Sequence, residues 1–304
     1  MIQKINELIE KTGHYFLDQN QAIRFAVVCL LAEGHLLIED APGVGKTTLV
    51  QALGKHLGLV TQRIQFTVDL LPADITGGHI FNPQSQTFQF YKGPLFAQMV
   101  MADELNRTSP RTQSALLQAM EESEVTVDGE TMSLPHPFFV IATQNPQSSI
   151  GTFPLPESQL DRFLMCIELN YIDRESEKKI FLNPDVRSQL AQIKSILNAD
   201  QILQFQKQVQ QVKVSDVVAE YIVRLLEKSR EQKDFKNVLS TRTGVALTKA
   251  AKAWAFTESR DFVRTDDVKK VFLAVAGHRL GGLGGVKSGR QLAESLLAQT
   301  EVPA

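Results

Sequence analysis

The stretch DAPGVGKTT, at residues 40–48, constrains the fold of this 304-residue chain more than any other. It follows the compact apolar run GHLLIED, residues 34–40, which is typical of a fully buried strand. It precedes a segment whose apolar residues, from Leu49 to Leu57, fall on one face of a helix. A glycine-rich turn between a buried strand and a helix can surround a phosphate group with backbone N–H groups. We therefore predict a phosphate-binding loop at these residues.

The loop departs from its usual form, G-x-x-x-x-G-K-[ST], because Asp40 stands where the first glycine is expected. That position only starts the turn, and aspartate is a common turn starter, so we expect the loop to form. Lys46 would bring a positive charge to the β- and γ-phosphates, and Thr47 would offer its hydroxyl to Mg²⁺. The residues predicted to contact the nucleotide are Ala41, Pro42, Gly43, Val44, Gly45, Lys46, Thr47 and Thr48. The alternative is an accidental turn before a helix.

A pair of acidic residues indicates that the nucleotide is hydrolysed. The apolar run AQMVMAD, residues 97–103, is typical of a buried strand and ends in Asp103 and Glu104. We predict that Asp103 holds Mg²⁺ and that Glu104 polarises the attacking water, as phosphoryl transfer requires. The alternative is a strand that happens to end in two acids.

Three further polar residues are candidates for the same chemistry. Asn145 follows the apolar run at 138–143, so it would lie at the carboxyl edge of a parallel sheet and could hydrogen-bond the γ-phosphate and the attacking water. Its alternative role is turn formation before Pro146. Arg162 and Arg242 carry the side chain best suited to spread phosphate charge. Periodicity alone does not distinguish that role from a surface or helix-capping arginine.

The order of strands and helices predicts the architecture. Buried-strand patterns alternate with helical ones up to about residue 180, which favours a doubly wound, parallel, five-stranded sheet. Residues 78–93 and 124–135 interrupt this alternation and resemble hairpins. Beyond residue 196 the patterns are helical. We predict an α/β nucleotide-binding core with N-terminal helices over residues 1–185 and an all-helical lid domain over residues 186–304.

Charge and hydropathy limit the environment and the partners. The formal net charge is −2, so no global basic field attracts nucleic acid or an anionic membrane. The apolar run at residues 26–32 is too short to span a bilayer even with Phe25 added, and the N-terminal residues do not resemble a signal peptide. Cys29 and Cys166 lie among apolar residues, which favours buried free thiols. A cytoplasmic protein is expected.

The motifs, taken in order, resemble the MoxR family of AAA+ ATPases across nearly the whole chain. The resemblance rests on EDAPGVGKTT, FTVDLLPADITGG, FYKGPLFAQMVMADELNRTSPRTQSALLQAMEE, FFVIATQNP and GTFPLPESQLDRFLM. It implies a ring-forming, hexameric motor that binds ATP and Mg²⁺ between adjacent subunits. In that family pattern the residues correspond as follows: Lys46 and Thr47 to Walker A, Asp103 and Glu104 to Walker B, Asn145 to sensor 1, Arg162 to the arginine finger donated to the neighbouring subunit, and Arg242 to sensor 2 on the lid.

The resemblance also implies a function. MoxR-type ATPases act as chaperone-like factors that mature partner proteins or insert metals or cofactors into them, often together with von Willebrand A-domain proteins. Two alternatives share the same core: a metal-chelatase motor subunit and a DNA motor or transcription activator. The slightly acidic charge and the absence of a recognisable helix-turn-helix argue against DNA. The absence of an N-K-x-D sequence argues against a GTPase.

Overall fold

The computed structural model describes residues 2–39, 45–144, 151–169, 173–182, 186–232, 235–282 and 288–303. In chain order its elements are α1 (Ile2–Gly13), α2 (Asn20–Leu31), β1 (Leu36–Glu39), α3 (Lys46–Leu57), β2 (Thr61–Gln65), α4 (Pro72–Thr76), β3 (Gly77–Asn82), β4 (Thr87–Lys92), β5 (Met99–Asp103), α5 (Pro110–Glu122), β6 (Glu124–Val127), β7 (Glu130–Ser133), β8 (Phe139–Gln144), α6 (Glu157–Leu160), β9 (Met165–Glu168), α7 (Arg174–Leu182), α8 (Val186–Ala191), α9 (Ala199–Gln210), α10 (Asp216–Glu231), β10 (Phe235–Asn237), α11 (Thr241–Thr257), α12 (Thr265–Ala276), β11 (Gly281–Gly282) and α13 (Gly289–Gln299).

The central sheet has five parallel strands in the order β2-β5-β8-β1-β9. The register places Leu36 of β1 beside Ile141 of β8 and Met165 of β9, so the carboxyl ends of the strands lie along one edge. In open parallel sheets this carboxyl edge is where ligands bind. The predicted doubly wound sheet is confirmed.

Alternating side chains of the strands face two separate hydrophobic layers. In β5, Met99 and Met101 pack into the layer that contains the N-terminal helices and the lid helices. Val100 and Ala102 pack into the other layer, with α5 and the second hairpin. Because successive strand residues point to opposite faces, a short run of consecutive apolar residues is needed to fill both layers.

Both predicted hairpins are present. β3 pairs with β4 in antiparallel register, from Gly77 opposite Lys92 to Asn82 opposite Thr87. β6 pairs with β7 around a two-residue turn at Asp128 and Gly129, whose φ angles are 53° and 85°. A two-residue hairpin turn of type I′ requires positive φ angles at both of its central residues.

The lid is helical as predicted, from α9 to α13, with one short antiparallel pair added between β10 and β11. These two strands are three and two residues long, too short for a sequence pattern to indicate. The predicted boundary between residues 185 and 186 stays a prediction.

Among the described residues, no helix is long and apolar enough to cross a membrane. Cys29 and Cys166 are free cysteines, as predicted; Cys29 is buried, whereas Cys166 is only partly buried.

His35 connects three elements at the amino edge of the sheet. Its Nδ1 accepts a hydrogen bond from the N–H of Val140 at 3.0 Å, so Nε2 carries the proton and donates to the carbonyl of Met120 at 3.0 Å. The backbone N–H of Leu164 also donates to the carbonyl of His35 at 2.9 Å. Burial lowers the pKa of His35 to about 4, because the charged ring would lose its hydration.

This buried histidine makes a predictable contribution to stability. The folded-state pKa lies below the unfolded value, so unfolded chains bind the extra proton between about pH 6.5 and pH 4. Stability present above pH 6.5 is therefore lost as the pH falls, by about 2 kcal/mol between pH 7 and pH 5. Urea unfolding of the wild type and of His35→Leu at both pH values measures it. The variant should lose about 2 kcal/mol less than the wild type; an equal loss in both would contradict the role assigned to His35.

Candidate functional site

Helix α3 begins at Lys46, within the phosphate-binding stretch predicted at residues 40–48. Its N-terminal neighbour Gly45 has a φ of 88°, the left-handed conformation that favours glycine. A Cβ on Gly45 would also lie 3.2 Å from the ring of the buried Phe16. The first N–H groups of the helix, at Lys46, Thr47 and Thr48, have no partners within the helix and suit an anion. Asp40, Ala41, Pro42, Gly43 and Val44 lie outside the described residues.

Asp103 ends strand β5 at the carboxyl edge of the sheet, and both of its carboxylate oxygens have partners. Oδ1 accepts a hydrogen bond from the Thr143 hydroxyl at 2.8 Å. Oδ2 pairs with Nη2 of Arg63 at 2.6 Å. The Asp103 side chain is only 12% exposed, so these two partners fix its orientation. The predicted metal-binding carboxylate is thus held in place by residues of the two neighbouring strands.

Glu104 adopts a backbone conformation that glutamate rarely takes. Its φ and ψ are 55° and 48°, in the left-handed region, which costs about 1–2 kcal/mol for a residue with a side chain. Its N–H donates to the Thr143 hydroxyl at 2.9 Å. Its Oε2 accepts from Gln65 at 3.0 Å and from Arg107 at 2.8 Å. Strain held by surrounding contacts is common at functional positions, which supports Glu104 as a candidate catalytic residue.

The donor set at this edge suits Mg²⁺. Thr47 supplies a hydroxyl and Asp103 a carboxylate, both hard oxygen ligands, and Mg²⁺ typically takes one or two such side chains together with phosphate oxygens. No cluster of three or more histidine, cysteine or acidic side chains among the described residues could hold a metal by itself. The residues therefore fit a metal that arrives with a nucleotide.

A cleft of about 290 Å³ lies at the carboxyl ends of β1 and β9. Glu39, the last residue of β1 before the loop, lines it together with Cys166 and Glu168 of β9. The segment between α1 and α2 forms another wall, and the lid helices α12 and α13 form the third. Its position, at the carboxyl ends of β1 and β9 and between core and lid, suits the base and ribose of a nucleotide whose phosphates bind at Gly45 and Lys46.

Arg162 and Arg242 lie together, although one belongs to the core and the other to the lid. Nη1 of Arg162 lies 2.9 Å from Oε2 of Glu121, and Nη2 of Arg242 lies 3.4 Å from Oε1 of the same carboxylate. Nε of Arg242 is also 3.3 Å from Oδ2 of Asp161. Asp161 in turn pairs with Nε of Arg279 at 2.7 Å.

This arginine cluster stands at the opposite edge of the sheet from Lys46 and Asp103. Arg162 precedes β9, whose first residue Met165 pairs with Leu36 at the start of β1. The phosphate loop follows Glu39 at the other end of β1. Four strand residues separate the two edges by about 13 Å. Neither arginine is therefore placed to contact a nucleotide bound to its own chain.

Several site residues carried no recognised sequence signal. Thr143, which orients both Asp103 and Glu104, lies inside the apolar run at 138–143, whose pattern indicates only a strand. Arg63 and Gln65 alternate on β2 and contact the acidic pair because β2 and β5 are neighbours. Asn145 lies outside the described residues, so its predicted position stays a prediction; Gln144, just before it, donates to Glu39.

Comparison with known proteins agrees with this fold. Residues 35–165 match the family described as ATPases associated with various cellular activities (AAA), and residues 227–296 match the AAA lid domain. The chain is 41% identical to the uncharacterized protein YeaC of Bacillus subtilis, over 91% of this chain and 86% of that protein. It is 35% identical to Chaperone MoxR1 of Mycobacterium tuberculosis, over 92% of this chain and 76% of that protein.

A solved structure is similar over the whole length. The crystal structure of a protein from Cytophaga hutchinsonii, described as a candidate ATPase, superposes with a TM-score of 0.90 at 35% sequence identity. The match covers 100% of this chain and 96% of that one, so the core and the lid both belong to the shared architecture. The chain is a member of the MoxR family of AAA+ ATPases.

Proposed function

We propose that this protein is a Mg²⁺-dependent ATPase that works as a ring, hexameric as the family resemblance implies. The observation that carries the proposal is the separation of two half-sites in one chain. Lys46, Asp103 and Glu104 lie at the carboxyl edge of the sheet, and Arg162 and Arg242 lie at the amino edge. A complete phosphoryl-transfer site then needs the carboxyl edge of one subunit and the amino edge of another.

Each residue has a role in the proposed site. The N–H groups at the start of α3 and the Lys46 ammonium bind the phosphates, and Thr47 and Asp103 hold Mg²⁺. Held there, Mg²⁺ would supply positive charge to offset the charge that develops on the transferred phosphoryl group. Glu104 accepts a proton from the attacking water, with Asn145 as the predicted second contact to that water. Arg162 and Arg242 stabilise the phosphate charge from the neighbouring subunit.

The work done by this motor is proposed to be the remodelling or maturation of partner proteins. The 35% identity to a protein named as a chaperone supports this role over a DNA motor, as does the net charge of −2. Partner proteins with von Willebrand A domains, and the insertion of metals or cofactors into them, follow from the family resemblance. Ring formation follows from the same resemblance and from the divided site.

The proposed site predicts that hydrolysis requires bound Mg²⁺, because of Thr47 and Asp103, and assembly of subunits, because the site is divided. With Mg²⁺, the purified protein should release phosphate from ATP, and excess EDTA should reduce the rate to background because Thr47 and Asp103 lose their shared cation. Activity per subunit should rise with protein concentration as rings form. Phosphate release and light scattering on one dilution series measure both. Unchanged specific activity in a sample diluted to monomers would contradict the shared site, and salt-sensitive DNA binding in a gel shift would favour the DNA alternative.

A further inference from the structure

Glu121, at the end of α5, contacts both arginines of the amino edge with one carboxylate. Oε2 lies 2.9 Å from Arg162 of the core, and Oε1 lies 3.4 Å from Arg242 of the lid. A carboxylate that engages two guanidinium groups through separate oxygens limits the motion of each relative to the other. No sequence pattern indicated a role for this residue, which lies in an ordinary amphipathic helix.

The contact to Arg162 is part of a rigid arrangement. The same Nη1 also donates to the carbonyl of Leu117 at 2.7 Å, one turn earlier on α5. Leu117 is buried, and the Arg162 side chain is only 29% exposed. Three residues further along the helix, the carbonyl of Met120 accepts a hydrogen bond from His35, which directly precedes β1. The last turn of α5 is therefore anchored to the sheet, and it carries the position of Arg162 with it.

The charges of the cluster do not balance. Three guanidinium groups, of Arg162, Arg242 and Arg279, share the two carboxylates of Glu121 and Asp161. Arg279 is nearly buried, with its side chain 6% exposed, and holds Asp161 firmly, while Arg242 is 57% exposed. These five side chains together carry one net positive charge, which is available to an anion from outside the chain. Glu121 thus orients the arginines without neutralising them.

Helix α5 also connects this cluster to the acidic pair of the same chain. The helix begins at Pro110, shortly after Glu104, and ends at Glu122, a length of about 20 Å for 13 residues. It runs from the carboxyl edge of the sheet to the amino edge. A shift at its first turn would move Glu121 and the arginines that Glu121 holds.

We propose that Glu121 is the positioning residue for the amino edge: it holds Arg162 and Arg242 in the geometry in which they meet the polyphosphate bound to the neighbouring subunit. This inference rests on the proposed function, because it requires the arginines to act between subunits. Glu121 itself does not contact the nucleotide. It acts through the arginines, and its effect falls on the site of the neighbouring subunit.

The test is Glu121→Gln, which keeps the shape of the side chain and removes its charge. We expect kcat for ATP to fall about 10- to 100-fold, because a misplaced charged group loses most of its effect on the transition state. KM for ATP should change little, since Lys46 and the start of α3 are untouched. Glu122→Gln is the matched control: it neutralises the neighbouring carboxylate on the same helix, whose partner is Gln118, and should retain wild-type kcat.

Mixing subunits distinguishes positioning from a structural defect. A Glu121→Gln subunit keeps its own Glu104, so a Glu104→Gln neighbour with an intact amino edge should restore its hydrolysis. Arg162→Ala mixed with Glu104→Gln serves as the reference. If the reference mixture regains activity and the Glu121→Gln mixture does not, the inference is wrong and the shared site stands. If neither mixture regains activity, the shared site and the inference both fail. Loss of ring assembly by Glu121→Gln would make it an interface residue and also overturn the proposal.

Discussion

Glu104→Gln is expected to bind ATP as tightly as the wild type and to hydrolyse it at least about 100-fold more slowly. The glutamine oxygen can still accept hydrogen bonds from Gln65 and Arg107, so the strained backbone at this position keeps its support. The amide, however, does not take a proton from water at neutral pH. Phosphate release under saturating ATP measures the loss of hydrolysis, and binding of a fluorescent ATP analogue measures the retained affinity.

Lys46→Ala gives the contrasting result for the same site. Without the ammonium group at the start of α3, both nucleotide binding and hydrolysis should be lost. Hydrolysis at wild-type rate in either variant would contradict the assigned residues. Glu104→Gln has a further use, because it would hold the ATP-bound ring with its partner protein. Failure to recover any specific partner with this variant, under conditions in which it binds ATP, would count against the remodelling function.

Arg162→Ala is expected to lower kcat by about 1,000-fold, within the range for an arginine that stabilises phosphoryl transfer in trans. The loss should be complemented by Glu104→Gln, which is inactive for a different reason. In a random equal mixture, about one quarter of the sites would combine an intact Glu104 with an intact Arg162 from the adjacent subunit, so about one quarter of wild-type activity should return. Mixtures prepared by dissociating and reassembling the two variants, assayed over a range of ratios, measure this.

A matched variant controls for the loss of an arginine. Arg224→Ala removes an exposed guanidinium on α10 that pairs only one turn away with Glu220, and it should leave kcat unchanged. If Arg162→Ala and Glu104→Gln both assemble into rings and their mixture stays inactive at every ratio, the two residues do not serve one shared site. Wild-type kcat in Arg162→Ala alone would exclude the arginine from the reaction.

The prediction of the fold from sequence succeeded where local patterns were strong. The run MVMA, at residues 99–102, is apolar at every position because both faces of the strand are buried. At the start of helix α5, a serine stands directly before a proline, a pattern typical of a helix N-terminus, and Ser109 does cap the helix by accepting a hydrogen bond from the N–H of Thr112. These signals are local, since each depends on residues only a few positions apart.

The candidate site was predictable only in part. Lys46, Asp103 and Glu104 were predicted because each lies at the end of a buried strand, directly after it, or at the start of a helix, positions that a sequence motif indicates. Their supporting contacts were not, since Thr143 reaches Asp103 from a position 40 residues away in the chain. Thr143 and Asp103 meet because β8 and β5 are neighbours in the sheet. No periodicity in the sequence indicates which strands become neighbours.

The sequence by itself predicted the phosphate loop, and it determined the acidic pair and the alternation of strands and helices, because local patterning and turn chemistry govern these features. Only the tertiary structure decided that Arg162 and Arg242 meet at Glu121, on the edge of the sheet opposite Lys46. Arg242 and Glu121 are 121 residues apart, and the packing of the lid against the core joins them. That packing is the physical reason why the meeting of the two arginines at Glu121 became visible only in three dimensions.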